Sequence, residues 1–188
     1  MKSQLLPVAV TLFTCLGVAS PCPKNINTLP RFGRIKKCPE QIEDDKKILI
    51  YEQQFGSREE IASELVKLGW NYLAKNQVDV AMHRFNQAWL LDSLNEQINW
   101  GFGSTLGSQG KERESLPFFR AAVISNASNA RVWYDASVSY GSMFFATKQI
   151  SYLDTTILYL KKSARLNSSY APTYAQLGCT DNYLCVRD

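Results

Sequence analysis

A glycine, an aromatic residue and an alanine recur along this chain at an interval of 34 residues. The first set is Gly69, Phe85 and Ala88, and the second is Gly103, Phe119 and Ala122. An interval of this length, with small and large residues at fixed places, is typical of stacked helical hairpins. Because one hairpin cannot bury both of its faces, about three are needed for a stable stack. We therefore expect an all-α solenoid.

The interval divides most of the chain into units. Residues 62–95 and 96–129 form the first two, and a third extends over 130–170 because its second helix arrives seven residues late. The extra residues fall between Phe144 and Ser151. Seven residues make about two helical turns, so they can lengthen both helices of the hairpin without rotating their apolar faces. A fourth first helix begins near Ala171, and we expect 171–188 to be a C-terminal capping helix.

The first unit resembles the tetratricopeptide-repeat (TPR) family. It carries the large, small and aromatic residues of that motif in sequence, namely Leu65, Leu68, Gly69, Tyr72, Ala81, Phe85 and Ala88. The resemblance implies a right-handed solenoid of about three and a half antiparallel hairpins. The stretch 69–92, together with 100–103, is also similar to exported bacterial proteins of this family.

Residues 40–61 precede the first unit and are expected to form an N-terminal packing helix followed by the start of the first repeat helix. Apolar residues at near-helical spacing end at Gly56, a residue that commonly stops helices. Ser57 and Glu60 then have the spacing of a capping box, in which each side chain bonds the backbone of the other residue.

The amino terminus has the pattern of a signal peptide over residues 1–19. Lys2 is followed by an uncharged, mainly apolar stretch of 15 residues from Leu5 to Ala19, too short to span a bilayer. This pattern predicts export, to the periplasm or the cell envelope, with secretion as an alternative. Cys15 follows a poor lipoprotein motif, so lipidation and a lipid-anchored protein stay open.

Four cysteines remain after removal of the signal, namely Cys22, Cys38, Cys179 and Cys185. An even number in an exported chain favours disulfides, and three connectivities are open. Pairing within each end closes the shortest loops, whereas pairing between the ends would tie the tail to the last helix. A zinc site is disfavoured because no Cys-x-x-Cys spacing occurs and the single histidine, His83, lies elsewhere. We expect no metal and no cofactor.

The segment 20–39 is a basic, proline-containing tail. All 17 acidic residues of the chain follow Pro39, so the formal charge of +4 belongs to the tail and the signal. We expect the tail to be a solvated tether, with binding to anionic lipid or an acidic partner as the alternative. Membrane association thus stays open through lipidation or the tail. The repeat body lacks the charge of a nucleic-acid-binding surface.

The family resemblance implies a ligand groove lined by the first helices. Carrying the family's contact positions over gives Val66, Trp70, Leu73, Gln97, Trp100, Ser104, Arg131, Tyr134 and Val138. Large aromatic residues on a surface favour a protein or peptide ligand bound by apolar contacts. In the alternative, the amino-terminal helix or the tail folds into the groove and covers them.

The leading interpretation is an exported adaptor or scaffold that holds a protein or peptide. An immunity-type protein that neutralises a delivered toxin is the alternative. An enzyme is disfavoured because His83 is the one histidine available to a nucleophile–histidine pair, and we expect it on an outer helix face. The oligomeric state is not indicated by these patterns.

Overall fold

The computed structural model describes the backbone of residues 21–52 and 56–185, and the side chains of 21–50 and 56–180. Within these ranges the chain forms eight α-helices. Their bounds are α1 Pro39–Glu52, α2 Arg58–Ala74, α3 Val78–Leu91, α4 Glu96–Ser108, α5 Glu112–Ser125, α6 Ala130–Thr147, α7 Ile150–Leu166 and α8 Ala171–Cys185. The predicted all-α class is confirmed. The predicted signal peptide at 1–19 and Cys15 lie outside the described residues.

The helices pack in pairs. α2 packs on α3, α4 on α5 and α6 on α7, and α8 then packs on α7. The first helices of successive pairs also touch, α2 with α4 and α4 with α6. They therefore lie side by side along one surface of a solenoid of three hairpins and one further helix.

Side chains and a glycine define where the hairpin helices begin and end. The Ser57 hydroxyl accepts a hydrogen bond from the Glu60 N–H at 3.2 Å, and the Glu60 carboxylate accepts one from the Ser57 N–H at 2.9 Å. The predicted capping box is therefore confirmed at the start of α2. Gly110, with φ of 71°, turns the chain between α4 and α5, a conformation that suits a residue without a side chain.

Two glycines, Gly69 of the repeat pattern and Gly101 of α4, allow Phe85 to sit between the first two hairpins. A Cβ on Gly69 would lie 2.7 Å from the Phe85 ring, and one on Gly101 would lie 2.4 Å from it. The ring is fully buried between α2 and α4. Burial of such a side chain contributes about 1.5–3 kcal/mol, so the small residues are required by packing.

The third hairpin is longer than the second. α6 and α7 contain 18 and 17 residues, whereas α4 and α5 contain 13 and 14. The extra residues are thus accommodated in the two helices. They leave a short connection at Lys148 and Gln149.

Residues 21–38, here called the N-terminal arm, dock on α3. The buried Asn86 side chain donates hydrogen bonds to the carbonyls of Asn27, at 3.0 Å, and Leu29, at 2.8 Å. Ile26 and Phe32 of the arm are buried. The expectation of a solvated tether is therefore wrong for this segment, because two apolar side chains and a pair of backbone carbonyls find partners on the helix.

A left-handed turn shapes the middle of the arm. Arg31, Phe32 and Gly33 have φ angles of 51°, 54° and 65°. For residues with a side chain this conformation costs roughly 1–2 kcal/mol each. The burial of Phe32, and the 3.1 Å approach of the Lys37 ammonium to the centre of its ring, offset that cost.

A disulfide between Cys22 and Cys38 closes the arm. α1 follows directly and is held to the arm by an ion pair between Lys37 and Asp45 and by a 2.7 Å hydrogen bond from the Gln41 amide to the Pro23 carbonyl. The helix packs Leu49 against the core of the first hairpin.

The carboxyl-terminal cysteines are described in part. Cys179 is exposed and forms no disulfide among the described residues. The side chain of Cys185 lies outside them, so its pairing stays a prediction. No helix in the described ranges has the length and apolar character needed to cross a bilayer.

Candidate functional site

The surface formed by α2, α4 and α6 contains two adjoining pockets, here together called the groove. The first, of about 470 Å³, is lined by Trp70, Leu73, Ser104, Gly107, Ser108, Phe119, Tyr134, Asp135, Val138 and Ser139 and is called the Val138 pocket. The second, of about 640 Å³, is lined by Trp70, Gln97, Trp100, Asn129, Arg131, Asp135 and Tyr170 and is called the Tyr170 pocket. Trp70 and Asp135 line both, so the pockets form one continuous surface.

Eight of the nine residues expected in the groove line these pockets. They are Trp70, Leu73, Gln97, Trp100, Ser104, Arg131, Tyr134 and Val138. Val66 does not, because it is 2% exposed and belongs to the hydrophobic core that also contains Ile98 and Phe102 of α4. The first helix packs against the next one at this position, so Val66 is a core residue.

Trp100 is also less accessible than the sequence pattern suggests. It is 9% exposed, and its ring lies 4.4 Å from that of Trp70, centre to centre. Its indole N–H donates a 2.7 Å hydrogen bond to Oδ2 of Asp135 on the next hairpin. Since a buried indole N–H needs an acceptor, this bond joins α4 to α6. Trp100 therefore stabilises the stack and offers little surface to a ligand.

Trp70 presents more of its surface to the groove. It is half-buried and packs edge-on against Phe85, with the ring centres 5.3 Å apart. Its own indole N–H has no hydrogen-bond partner among the described residues. Trp70 thus forms the wall shared by the two pockets.

An aromatic pair closes the far end of the groove. The rings of Tyr134 and Tyr170 meet edge to face with centres 5.4 Å apart. The Arg131 guanidinium lies 5.9 Å from the centre of the Tyr170 ring, a geometry typical of a cation–π contact. Arg131 is exposed, so its charge lies at the mouth of the Tyr170 pocket.

Asp135 is the acidic residue of the groove, and its charge is costly there. Burial raises the pKa of its carboxyl to about 6, while the Trp100 hydrogen bond and the nearby positive charge of Arg131 act in the opposite direction. Burial, and then the negative charge of Asp135, raise the pKa of the Tyr134 hydroxyl. Burial and the negative charge of Asp135 are also the two largest causes that raise the pKa of the Tyr170 hydroxyl.

Sequence reasoning missed Asp135 and Tyr170. Asp135 follows Tyr134, an expected contact residue, and lies one repeat plus one residue beyond Trp100. This spacing lets its carboxylate accept a hydrogen bond from the Trp100 indole. Tyr170 lies between α7 and α8, outside the helices from which the family's contact positions are taken. The burial of Trp100, which the sequence does not show, is what makes an acceptor at this spacing necessary.

His83 lies away from the groove. It lines a cavity of about 450 Å³ between α3 and α1, together with Ile48 and Asp45. Burial and the adjacent Arg84 lower its pKa. His83 therefore faces α1 and the arm, on the side of α3 away from the groove pockets.

The described residues contain one cluster of metal-ligand type, formed by Cys22, Cys38 and Glu40. The two sulfurs are bonded to each other, and a disulfide sulfur is not the thiolate that metals bind. This cluster therefore does not form a metal site.

No protein-family model matches this chain. No curated protein matches it either.

Solved structures do match it in fold. The first TPR of Spaghetti (RPAP3), bound to the HSP90 peptide SRMEEVD, is 15% identical, with 70% of this chain and 98% of that one covered and a TM-score of 0.58. MamA is 19% identical, with 78% of each chain covered and a TM-score of 0.58. PcrH, in complex with the chaperone binding region of PopD, is 17% identical, with 67% of this chain and 92% of that one covered and a TM-score of 0.54.

These three structures share the order and packing of the helical hairpins with this chain over most of its length. Together with the 34-residue interval of glycines and phenylalanines, the match identifies the architecture. The chain is therefore a TPR-like protein in its fold.

Proposed function

We propose that this protein is an exported adaptor or scaffold that binds a peptide segment of a partner protein in the groove. The observation that carries the proposal is the groove itself, where Trp70, Leu73, Tyr134 and Val138 line connected pockets on one surface. Apolar side chains in a concave surface with a few polar groups are typical of peptide-binding sites.

The placement of the amino-terminal segments supports a groove open to a ligand. The arm packs on α3, and α1 lies beside His83 of the same helix. No residue of 21–50 lines either groove pocket. Within this range, the chain therefore does not cover its own groove.

Two of the structurally similar proteins support the same reading. RPAP3 was solved with an HSP90 peptide and PcrH with a segment of PopD, so this fold binds peptide segments in proteins of unrelated sequence.

Export is proposed from the signal pattern at residues 1–19 and is supported by the Cys22–Cys38 disulfide. Disulfides persist in oxidising compartments such as the periplasm and are rare in the cytosol. A periplasmic or envelope location agrees with both features.

Selection from a library of random dodecapeptides displayed on phage tests the groove. We expect the wild-type protein to enrich peptides whose affinity falls about tenfold or more in Val138→Arg, because the new side chain fills the Val138 pocket. The matched control is Leu158→Arg on α7, which also replaces an exposed apolar residue, 62% exposed against 40% for Val138.

Fluorescence anisotropy of the selected peptides gives the affinities, and circular dichroism checks that both variants are folded. Peptides that bind all three proteins equally would place the binding site elsewhere. Failure of the wild type to enrich any peptide would remove the proposed function.

A further inference from the structure

We propose that the Val138 pocket binds the positively charged side chain of a lysine or arginine in the peptide ligand, with Asp135 as its counter-ion. This inference rests on the proposed function and specifies the ligand of the same groove.

The charge of the pocket favours a cation. Asp135 is the one residue with a formal charge among those that line the Val138 pocket. Arg131 lines the neighbouring Tyr170 pocket, where its guanidinium faces the Tyr170 ring. An entering cation therefore meets a carboxylate in the Val138 pocket and does not have to displace a resident cation.

Asp135 has unused bonding capacity. Its carboxylate accepts the one hydrogen bond from Trp100 and forms no ion pair in the part of the chain that the structure describes. An ionised carboxylate can accept about four hydrogen bonds. A charged carboxylate with a single donor in a half-buried site gains the most from a ligand that supplies donors and a positive charge.

A second acceptor lies in the same pocket. The Ser104 hydroxyl on α4 is buried and has no hydrogen-bond partner in the ranges that the structure describes. A hydroxyl oxygen can accept from an ammonium or guanidinium group. Ser104 and Asp135 line the same pocket from two different helices, so the pocket contains two hydrogen-bond acceptors.

The walls of the pocket suit the rest of a long basic side chain. Trp70 and Tyr134 are aromatic, and the faces of such rings attract cations. Leu73 and Val138 offer aliphatic surface for the methylene stem, which lysine and arginine bury while their charged ends remain paired. A purely apolar ligand side chain would leave the Asp135 carboxylate with its Trp100 hydrogen bond but without a counter-ion.

The protonation of Asp135 gives the proposal a pH dependence. The groups that act on this carboxyl are Arg131 and Tyr134 of its own helix, Tyr170, and the uncharged Trp100 of α4. With a pKa of about 6, the carboxyl is mainly charged at neutral pH and mainly protonated at pH 5. Binding of a basic peptide should therefore weaken as the pH falls through 6.

The peptide library described above tests the inference when it is selected in parallel on wild type and Asp135→Asn. The amide oxygen of asparagine can still accept from the Trp100 indole, so the variant removes the charge and keeps the bond between hairpins. We expect wild-type peptides to be enriched in lysine or arginine beside an apolar residue. The Asp135→Asn selection should lose that enrichment.

Paired peptides then measure the charge interaction directly. In the best wild-type peptide, lysine is replaced by norleucine, or arginine by citrulline, which remove the charge and keep the size. We expect the replacement to weaken binding to wild type about tenfold or more, and binding to Asp135→Asn less than twofold. Asp154→Asn, which removes a negative charge from an exposed residue of α7 that lines neither groove pocket, is the control and should not reduce the effect of the replacement.

The outcomes separate this inference from the proposed function. The cation pocket would be overturned by peptides that require Val138 but show no enrichment in basic residues. It would also be overturned if replacement of the basic residue weakened binding equally to wild type and to Asp135→Asn. Either result would leave the peptide-binding groove intact. An absence of peptides sensitive to Val138→Arg would remove both.

Discussion

Asp135 shows how one residue can serve both the stack and the groove. Its carboxylate accepts from the Trp100 indole and so joins the second hairpin to the third, while the same group lines both pockets. The arrangement keeps an acidic group in a half-buried site where burial opposes its ionisation. A stability cost at neutral pH is the expected consequence of that location.

This cost predicts a pH dependence of folding. The folded-state pKa of Asp135, about 6, lies above the ordinary value of 3.8. The contribution of this carboxyl to the free energy of unfolding is therefore most favourable below pH 4. That contribution is lost as the pH rises through 6. Relative to wild type, Asp135→Asn should gain stability between pH 4 and pH 7, by at most about 3 kcal/mol.

Urea unfolding followed by circular dichroism at pH 4, 5, 6 and 7 provides the measurement. Asp154→Asn, which changes an exposed acidic residue on α7, is the matched control and should follow the wild-type curve. A constant difference between wild type and Asp135→Asn at all four values would show that the carboxyl titrates normally.

The arm is the element whose structure differs most from what the sequence predicts. It has no periodic pattern, and its docking depends on Asn86, a buried side chain on a helix more than 50 positions away. The disulfide closes a loop of 16 residues, and a constraint of that size stabilises a folded loop by about 3 kcal/mol in the chain-entropy model. The docked turn should therefore depend on the disulfide.

Limited trypsin digestion can detect that dependence, because the arm contains Arg31, Arg34 and Lys37. The double variant Cys22→Ser, Cys38→Ser should be cut in the arm about tenfold faster or more, since the loop opens more often without the covalent link. Peptide mapping by mass spectrometry identifies the cut sites.

Cys179→Ser is the control for this experiment and should be cut in the arm at the wild-type rate. Equal rates for the double variant and wild type would mean that Asn86, Ile26 and Phe32 hold the arm without help from the disulfide.

At the scale of the whole molecule, the repeat pattern predicts far more of the scaffold than of the site. Glycines at crossings and phenylalanines between hairpins determine helix packing locally, so their spacing predicts the hairpins. The groove residues follow from the helix faces, apart from Val66, which the neighbouring helix covers. Asp135 and Tyr170 could not be predicted this way because each acts through a partner in another unit or connection.

Export is also a property of the whole molecule. Mass spectrometry of the protein isolated from its native cells should show a chain that begins at Ser20, with Cys22 and Cys38 oxidised. A diacylglycerol-modified Cys15 would instead indicate a lipid-anchored protein. Recovery from the cytoplasm with residues 1–19 retained would contradict the proposed export.

The arm also affects how the solenoid can bend. Arg31 of the arm donates a 2.9 Å hydrogen bond to Asn99 of α4, and its guanidinium lies over the Phe118 ring of α5. Other residues of the arm are hydrogen-bonded to α3. A change of curvature between the first two hairpins has to break these contacts. Between the second and third hairpins the described part of the arm makes no such contact, and the Trp100–Asp135 hydrogen bond and a shared apolar core join the hairpins there instead.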